Sequence, residues 1–295
     1  MDRRKFFQTG LAGVAGLSWA GPGLAEVNYG SLSDTTVDTV KLGDTGLTVS
    51  RIAMGTGTKG WNHQSNQTRM GMKDFVSLAR HGYERGIRFF DMADAYGSQP
   101  FVGASILNLP RENITLMSKI WTSDDSAKDK EPVRKTLDRF RQETGSEYLD
   151  ILLLHCMTNG DWADTRKFYM DGLSEAKQEG IVKAVGVSCH NWDAMVKAVE
   201  NPWVDVILAR INPFQTHMDN TPGAVSELLR KARKNGKGII GMKIFGEGKN
   251  VTDEERERSI RFALTQGNVH AMTLGLESMR QMDDAIERVM RISRE

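Results

Sequence analysis

Short, nearly unbroken apolar runs recur along this chain, and each is followed by a stretch with the period of a helix. The runs are Ile52–Gly55, Ile87–Phe90, Ile114–Met117, Leu149–Leu154, Val182–Val187, Val204–Leu208, Gly238–Met242 and Val269–Leu274. Runs this short, without polar alternation, are what strands look like when both faces of their sheet are covered by helices. Helical spacing follows in Met72, Phe75, Val76, Ala79 and Tyr83, in Val133, Leu137 and Phe140, and in Met279, Met282, Ile286, Val289 and Met290. Helix starts are marked by Thr221-Pro222, a capping residue ahead of proline, and by Thr252 with Glu255 at capping-box spacing. Eight strand-then-helix units predict an α/β chain folded as one (β/α)8 TIM barrel over residues 38–295. The 295 residues suffice, since such a barrel takes about 250. An open doubly wound sheet is the alternative, but no Gly-x-Gly-x-x-Gly turn follows the first run; Gly55-Thr56-Gly57 is only a fragment of one. Ahead of the barrel, Val40–Val49 around Gly43-Asp44-Thr45-Gly46 reads as an N-terminal β-hairpin.

Thirty-nine basic and 38 acidic side chains leave a net charge of +1, and no basic stripe runs through the chain, which sets nucleic acid aside as a partner. The first residues are different in kind. Arg3-Arg4-Lys5-Phe6-Phe7 precedes a mild, Gly/Ala-rich apolar stretch, Leu11 to Ala20, and a small-residue end at Gly23-Leu24-Ala25. Residues 1–25 resemble a twin-arginine (Tat) export signal, expected to be cleaved or disordered. The resemblance implies the Tat export machinery as a partner and an exported, periplasmic location. The apolar stretch falls short of the roughly 20 residues that span a bilayer, so no stable membrane anchor is expected. Cys156 and Cys189 are too few for a disulfide scaffold and are read as two independent thiols, with a single bridge as the alternative. His63, His81, His190, His217 and His270 share no ligand spacing, so no metal site is expected.

In a barrel of this kind the chemistry lies where the strands end, at their C-terminal edge. Three successive runs end on ionisable residues, Asp91, Lys119 and His155, and Tyr96 follows Asp91 by five positions. Each could be an ordinary strand end or loop residue; together they form a set with a definite chemistry. A tyrosine hydroxyl is a poor acid at neutral pH, and a neighbouring ammonium lowers its pKa. Lys119 can supply that ammonium, Asp91 can hold it in place, and His155 can donate a hydrogen bond to an oxygen gaining negative charge. The set is suited to protonating a carbonyl oxygen while hydride arrives from a cofactor, because no side chain delivers hydride. Trp61 and Trp162, in the loops after the first and fourth runs, are candidates to line a substrate pocket.

These residues bring out a resemblance. Leu42-Gly43-Asp44-Thr45-Gly46-Leu47-Thr48-Val49-Ser50 and Gly86-Ile87-Arg88-Phe89-Phe90-Asp91-Met92-Ala93-Asp94-Ala95-Tyr96-Gly97 look like the opening hairpin and the signature of the aldo-keto reductase family. The likeness runs from about Val40 to Arg291. It implies an oxidoreductase that interconverts aldehydes or ketones and alcohols with NAD or NADP, Tyr96 acting as general acid, Lys119 and Asp91 tuning it, and His155 orienting a small-molecule substrate. It also places Ser188 on the nicotinamide carboxamide and Gly246-Glu247-Gly248, with Phe245 before it, at the pyrophosphate. Three positions depart from the family's pattern, Cys189 standing for its asparagine, Leu208 for its glutamine and Met242 for its stacking aromatic; by position the resemblance still implies Cys189 and Met242 as cofactor contacts. Gln281 stands where many members carry an arginine for the 2′-phosphate, and Arg280 beside it is only a neighbour. Two other readings stay open on residues alone: an exported nucleotide-binding or redox-sensing barrel with little turnover, and an aldolase-like barrel with Lys119 as Schiff-base nucleophile.

Overall fold

A computed structural model describes residues 36–128 and 130–295. The proposed export signal lies outside them. Strands β1 (Thr39–Lys41) and β2 (Thr48–Ser50) pair antiparallel with Val40 opposite Val49. The turn between them closes through Leu42 N–H to the Leu47 carbonyl at 2.9 Å. Gly43 and Gly46 take φ of +53° and +76°, which side chains with a Cβ rarely adopt.

Eight parallel strands follow and close on themselves: β3 (Ile52–Gly55), β4 (Phe89–Asp91), β5 (Thr115–Ile120), β6 (Leu149–Met157), β7 (Val182–Cys189), β8 (Val206–Arg210), β9 (Gly238–Met242) and β10 (Ala271–Leu274), with β10 pairing back onto β3. The helices that return the chain are α1 (Asn66–Arg69), α2 (Met72–Glu84), α3 (Gln99–Ile106), α4 (Val133–Thr144), α5 (Trp162–Thr165), α6 (Lys167–Gln178), α7 (Trp192–Glu200), α8 (Pro222–Lys234), α9 (Asp253–Thr265) and α10 (Met279–Ile292). Two expected caps are formed. The Thr221 hydroxyl accepts from Ala224 N–H, and Thr252 and Glu255 make a reciprocal capping box.

Side chains alternate across each strand and build two cores. Ala53, Phe89, Met117, Ile151, Leu153, Ala184, Val206, Leu208, Ile240 and Ala271 fill the barrel, with Leu42 and Val49 of the hairpin packed in the same cluster. Phe90, Leu116, Leu152, Leu154, Val185, Val187, Ile207 and Met272 face the helices. Most strands also run beyond the apolar segments that announce them. The polar residue closing an apolar run keeps its backbone in the ladder, so Asp91, Lys119 and Arg210 are strand residues. Strand β6 continues to Met157 through an irregularity after Leu154, where Cys156 takes φ +65°.

Trp162 corrects an expectation. Helix α5 carries its indole into the helical layer, where it is fully buried, donates to the Ala194 carbonyl at 3.1 Å and lies 6.4 Å from the Trp203 ring. It is a core residue and lines no substrate pocket. Cys156 and Cys189 are unbridged, and burial raises the pKa of both thiols, so neither is a ready thiolate.

Candidate active site

The alternation that fills the barrel also sets what stands above the filling. Two residues beyond inward-facing Phe89, Met117, Leu153, Ala184, Val206 and Ala271 come Asp91, Lys119, His155, Gly186 then Ser188, Leu208 then Arg210, and Thr273. The top layer of the barrel is therefore polar. Lys119 is 1% exposed, and its ammonium is bound by the Asp91 carboxylate and donates to the Met92 carbonyl at 2.9 Å. The second Asp91 oxygen accepts from the Thr273 hydroxyl at 2.8 Å. A buried ion pair needs such extra hydrogen bonds to offset its desolvation.

Tyr96 ends the 3-10 turn Asp94–Tyr96, and its ring centre lies 4.8 Å from Lys119 Nζ. His155 meets the same ring edge-on, with centroids 5.6 Å apart and planes at 88°. These four candidates thus converge around one point. His155 Nδ1 is buried with no hydrogen-bond partner among the described residues.

Electrostatics assign the protons. Removal from water raises the Tyr96 pKa; Lys119 pulls the other way, through its charge and a hydrogen bond, without overcoming it. The expected net lowering by Lys119 is thereby corrected: the phenol stays protonated and the ammonium moderates its reluctance to ionise. Burial alone would lower the Lys119 pKa, but the Asp91 charge, with the hydrogen bonds to Asp91 and Tyr96, carries it above the ordinary lysine value. An amine held this firmly as ammonium is not a Schiff-base nucleophile at neutral pH. Burial, then the Lys119 charge, then His190, hold His155 well below the usual histidine value, so it is a neutral imidazole with one N–H to donate.

A cavity of about 710 Å³ opens from this point and runs outward along the mouth of the barrel. Gly55, Gly57, Asp91, Tyr96, Leu208 and Met242 line its inner end. Its outer end lies between Phe245, Glu247 and Gly248 on one side and Ser278, Arg280 and Gln281 of the α10 start on the other. An elongated groove with a glycine turn and a helix N-terminus on its walls fits a dinucleotide, whose phosphates take backbone N–H groups and the positive end of a helix dipole. Gly248 has φ +88° and open space above its Cα, whereas Gly246 (φ +56°) packs its Cα against Thr216 and Asn250, behind the groove wall. Ser188 is buried at the top layer, and its Oγ accepts from Cys156 N–H at 3.1 Å. Cys189, one residue on, faces the opposite way. It is fully buried in the core between sheet and helices, which corrects its assignment to the cofactor. Gln281 Oε1 accepts from the Glu277 N–H at 2.8 Å, while Arg280 lines the groove.

Trp61 is 64% exposed at the barrel mouth and stacks edge-on against Trp121 at 5.3 Å; Trp121 in turn meets His155 at 5.4 Å. Trp121 was not among the sequence candidates, although its position two residues past Lys119 placed it beyond a strand end. Thr273 and Arg210 were missed as well, and strand parity counted from the apolar residues would have found both. Among the described residues no three His, Cys, Asp or Glu side chains gather as a metal-binding group, and no helix is long and apolar enough to cross a membrane.

A methylglyoxal reductase of Escherichia coli O157:H7 is 26% identical over 181 residues, which cover 61% of this chain and 64% of that protein. An NADH-specific methylglyoxal reductase of Escherichia coli K12 is 25% identical over 225 residues, 67% of this chain and 64% of that protein. The chain therefore spans a little under two thirds of the length of these relatives. Among solved structures, an aldo/keto reductase from Brucella melitensis superposes with a TM-score of 0.64 over 88% of this chain and 99% of that one, at 19% identity. The holo form of an aldo-keto reductase from Bacillus halodurans gives 0.63 over 86% and 91%, at 17% identity, a likeness of fold. The model of the aldo/keto reductase family matches residues 51–294, nearly the whole barrel, and this chain belongs to that family.

Proposed function

We propose that this chain is an NAD(P)H-dependent carbonyl reductase, running in reverse as an alcohol dehydrogenase, that works on a small molecule held at the mouth of its barrel. The observation that carries the reading is the meeting of a protonated Tyr96 with a paired Lys119 and a neutral His155, where Tyr96 itself lines the inner end of a groove fitted to a dinucleotide. The nicotinamide supplies hydride when bound; Met242 and Ser188 would hold it, and Phe245 and Gly248 would take the phosphates at the outer end of the groove. His155 and Tyr96 receive the carbonyl oxygen. As charge builds there, the Tyr96 hydroxyl releases its proton to it, and Lys119, held by Asp91, stabilises the phenolate left behind. Trp61 and Trp121 form an apolar wall for whatever the carbonyl carries, and two relatives named for methylglyoxal make small aldehydes the first substrates to try.

Titration of the chain lacking residues 1–25 with NADH and NADPH is expected to quench tryptophan fluorescence with saturable binding of at least one of them. Saturation should be followed by multiple turnovers on simple aldehydes. Tight binding without turnover would replace this reading with a nucleotide sensor, and rejection of both cofactors would end it.

The location belongs to the same proposal. Arg3-Arg4 and the segment behind them support export by the twin-arginine route, which carries folded proteins and would let the nucleotide travel in its groove. Changing Arg3 and Arg4 to lysine in the full chain is expected to leave the protein in the cytoplasmic fraction of a bacterial host. Unchanged export of that variant would remove the signal reading.

A further inference from the structure

The loop between β3 and α1 holds a feature that the reaction as described does not use. It contains two glycines, Gly57 and Gly60, both seated against the ring of Tyr96. A Cβ added at Gly57 would overlap Tyr96 Cε2 and Cζ and lie 2.6 Å from Cδ2; one added at Gly60 would overlap Cδ1 and lie 2.7 Å from Cε1. The two glycines therefore meet opposite edges of one ring. Neither has a positive φ. The left-handed conformations of this loop fall instead on Lys59, Asn62 and His63, with φ of 52°, 51° and 57°. Glycine at 57 and 60 is thus needed for the space it leaves and not for backbone freedom.

The loop is also tied in place by hydrogen bonds on both sides. The amide of buried Gln67 accepts from Thr58 N–H at 3.0 Å and donates to Thr58 Oγ1 at 2.9 Å. Gly60 N–H closes onto the Gly57 carbonyl at 2.9 Å, and Asn66 N–H onto the Thr58 carbonyl at 2.9 Å. From the other side His63 N–H donates to the Ala95 carbonyl at 3.0 Å, tying the loop to the turn that carries Tyr96. The far face of the site is occupied too, by His155 edge-on to the ring and Lys119 above it. The ring is thus bounded by the two glycines, His155 and Lys119, and its remaining side faces the groove.

We infer that Gly57 and Gly60 are positioning residues: they form a socket that fixes the Tyr96 ring, and with it the hydroxyl, between Lys119 and His155. The inference rests on Tyr96 being the proton donor proposed above. A methyl group at either glycine must displace the ring, and displacing a reacting group by about 1 Å costs on the order of 100-fold in rate.

Gly57→Ala and Gly60→Ala are compared in the full chain with wild type and with Gly223→Ala, a helix position where a Cβ meets nothing within 4 Å. Both socket variants are expected to melt and to bind NAD(P)H as Gly223→Ala does, with kcat reduced about 100-fold. In a Tyr96→Phe background the same changes are expected to remove nothing further, because the group they misplace is already gone. Wild-type kcat in both socket variants would overturn the proposal. So would joint loss of folding and nucleotide binding in both, which would make the glycines general supports of the barrel mouth. Equal losses with and without the Tyr96 hydroxyl would overturn it for the same reason. Wild-type turnover by Tyr96→Phe alone would remove the proton-donor reading, and the socket with it; a dead Tyr96→Phe beside fully active glycine variants would remove the socket only.

Discussion

Tyr96→Phe is expected to lower kcat for carbonyl reduction by about 10²–10⁴-fold, the usual worth of a positioned general acid, while leaving nucleotide affinity and melting temperature near wild type. The expectation follows from what the substitution removes. A single oxygen is lost from a ring already enclosed by Gly57, Gly60 and His155, so the packing that holds the turn stays in place. The proton for the developing alkoxide is lost with that oxygen, and neutral His155 can only hydrogen-bond to it. The wild type carries a pH signature of the same group. Reduction needs the protonated phenol, and burial raises the Tyr96 pKa above the ordinary 10.0, so the reducing direction is expected to hold its rate through pH 9. Alcohol oxidation needs the phenolate and should climb with pH over the same range. Full turnover by Tyr96→Phe would defeat the assignment, and a fall in reduction below pH 9 that follows Tyr96 would overturn the raised pKa while keeping the proton donor.

The second large effect is on stability. Asp91→Ala leaves the Lys119 ammonium inside the barrel with only the Met92 carbonyl and the Tyr96 hydroxyl as partners, and strands the Thr273 hydroxyl as well. Breaking one side of a buried ion pair costs about 3–5 kcal/mol, so the melting temperature should drop by on the order of 10 °C. The loss comes chiefly from the unpaired charge, which gives a way to separate structure from chemistry. The double variant Asp91→Leu, Lys119→Met has no buried charge to compensate and is expected to regain much of the stability while remaining inactive. Calorimetry of the single and double variants decides it. An Asp91→Ala protein that melts with wild type would mean that the pair tunes Tyr96 without holding strands β4 and β5 in place.

The architecture was readable because its cause is local. A strand covered on both faces must be apolar throughout, and a helix packed on a sheet must repeat its apolar residues every three or four positions; both patterns are written in consecutive residues. Eight repetitions then left closure as the simplest way to satisfy every strand edge. Strand ends were blurred for the opposite reason, since Asp91, Lys119 and Arg210 stay in the hydrogen-bonded ladder although their side chains break the apolar pattern. Asp91, Lys119, His155 and Tyr96 were visible because a barrel collects its strand ends at one face, so order along the chain converts into proximity.

Direction was what the linear pattern left open. Trp162 and Trp61 both follow the end of a barrel strand, yet one, at the start of helix α5, is sealed in the helical layer and the other stands exposed beside Trp121. Ser188 and Cys189 are neighbours, but strand alternation turns one to the site and the other to the outer core. The Tyr96 pKa depends on how much water burial removes against how near Lys119 stands, two quantities with no trace in the spacing of the residues. The sequence by itself determined the barrel, its hairpin and the four polar groups at its mouth, because periodicity and chain order act between neighbours. Only the tertiary structure decided which side chains face the groove, which protons they keep and how two glycines enclose a tyrosine, because those depend on contacts between segments that the chain order holds far apart.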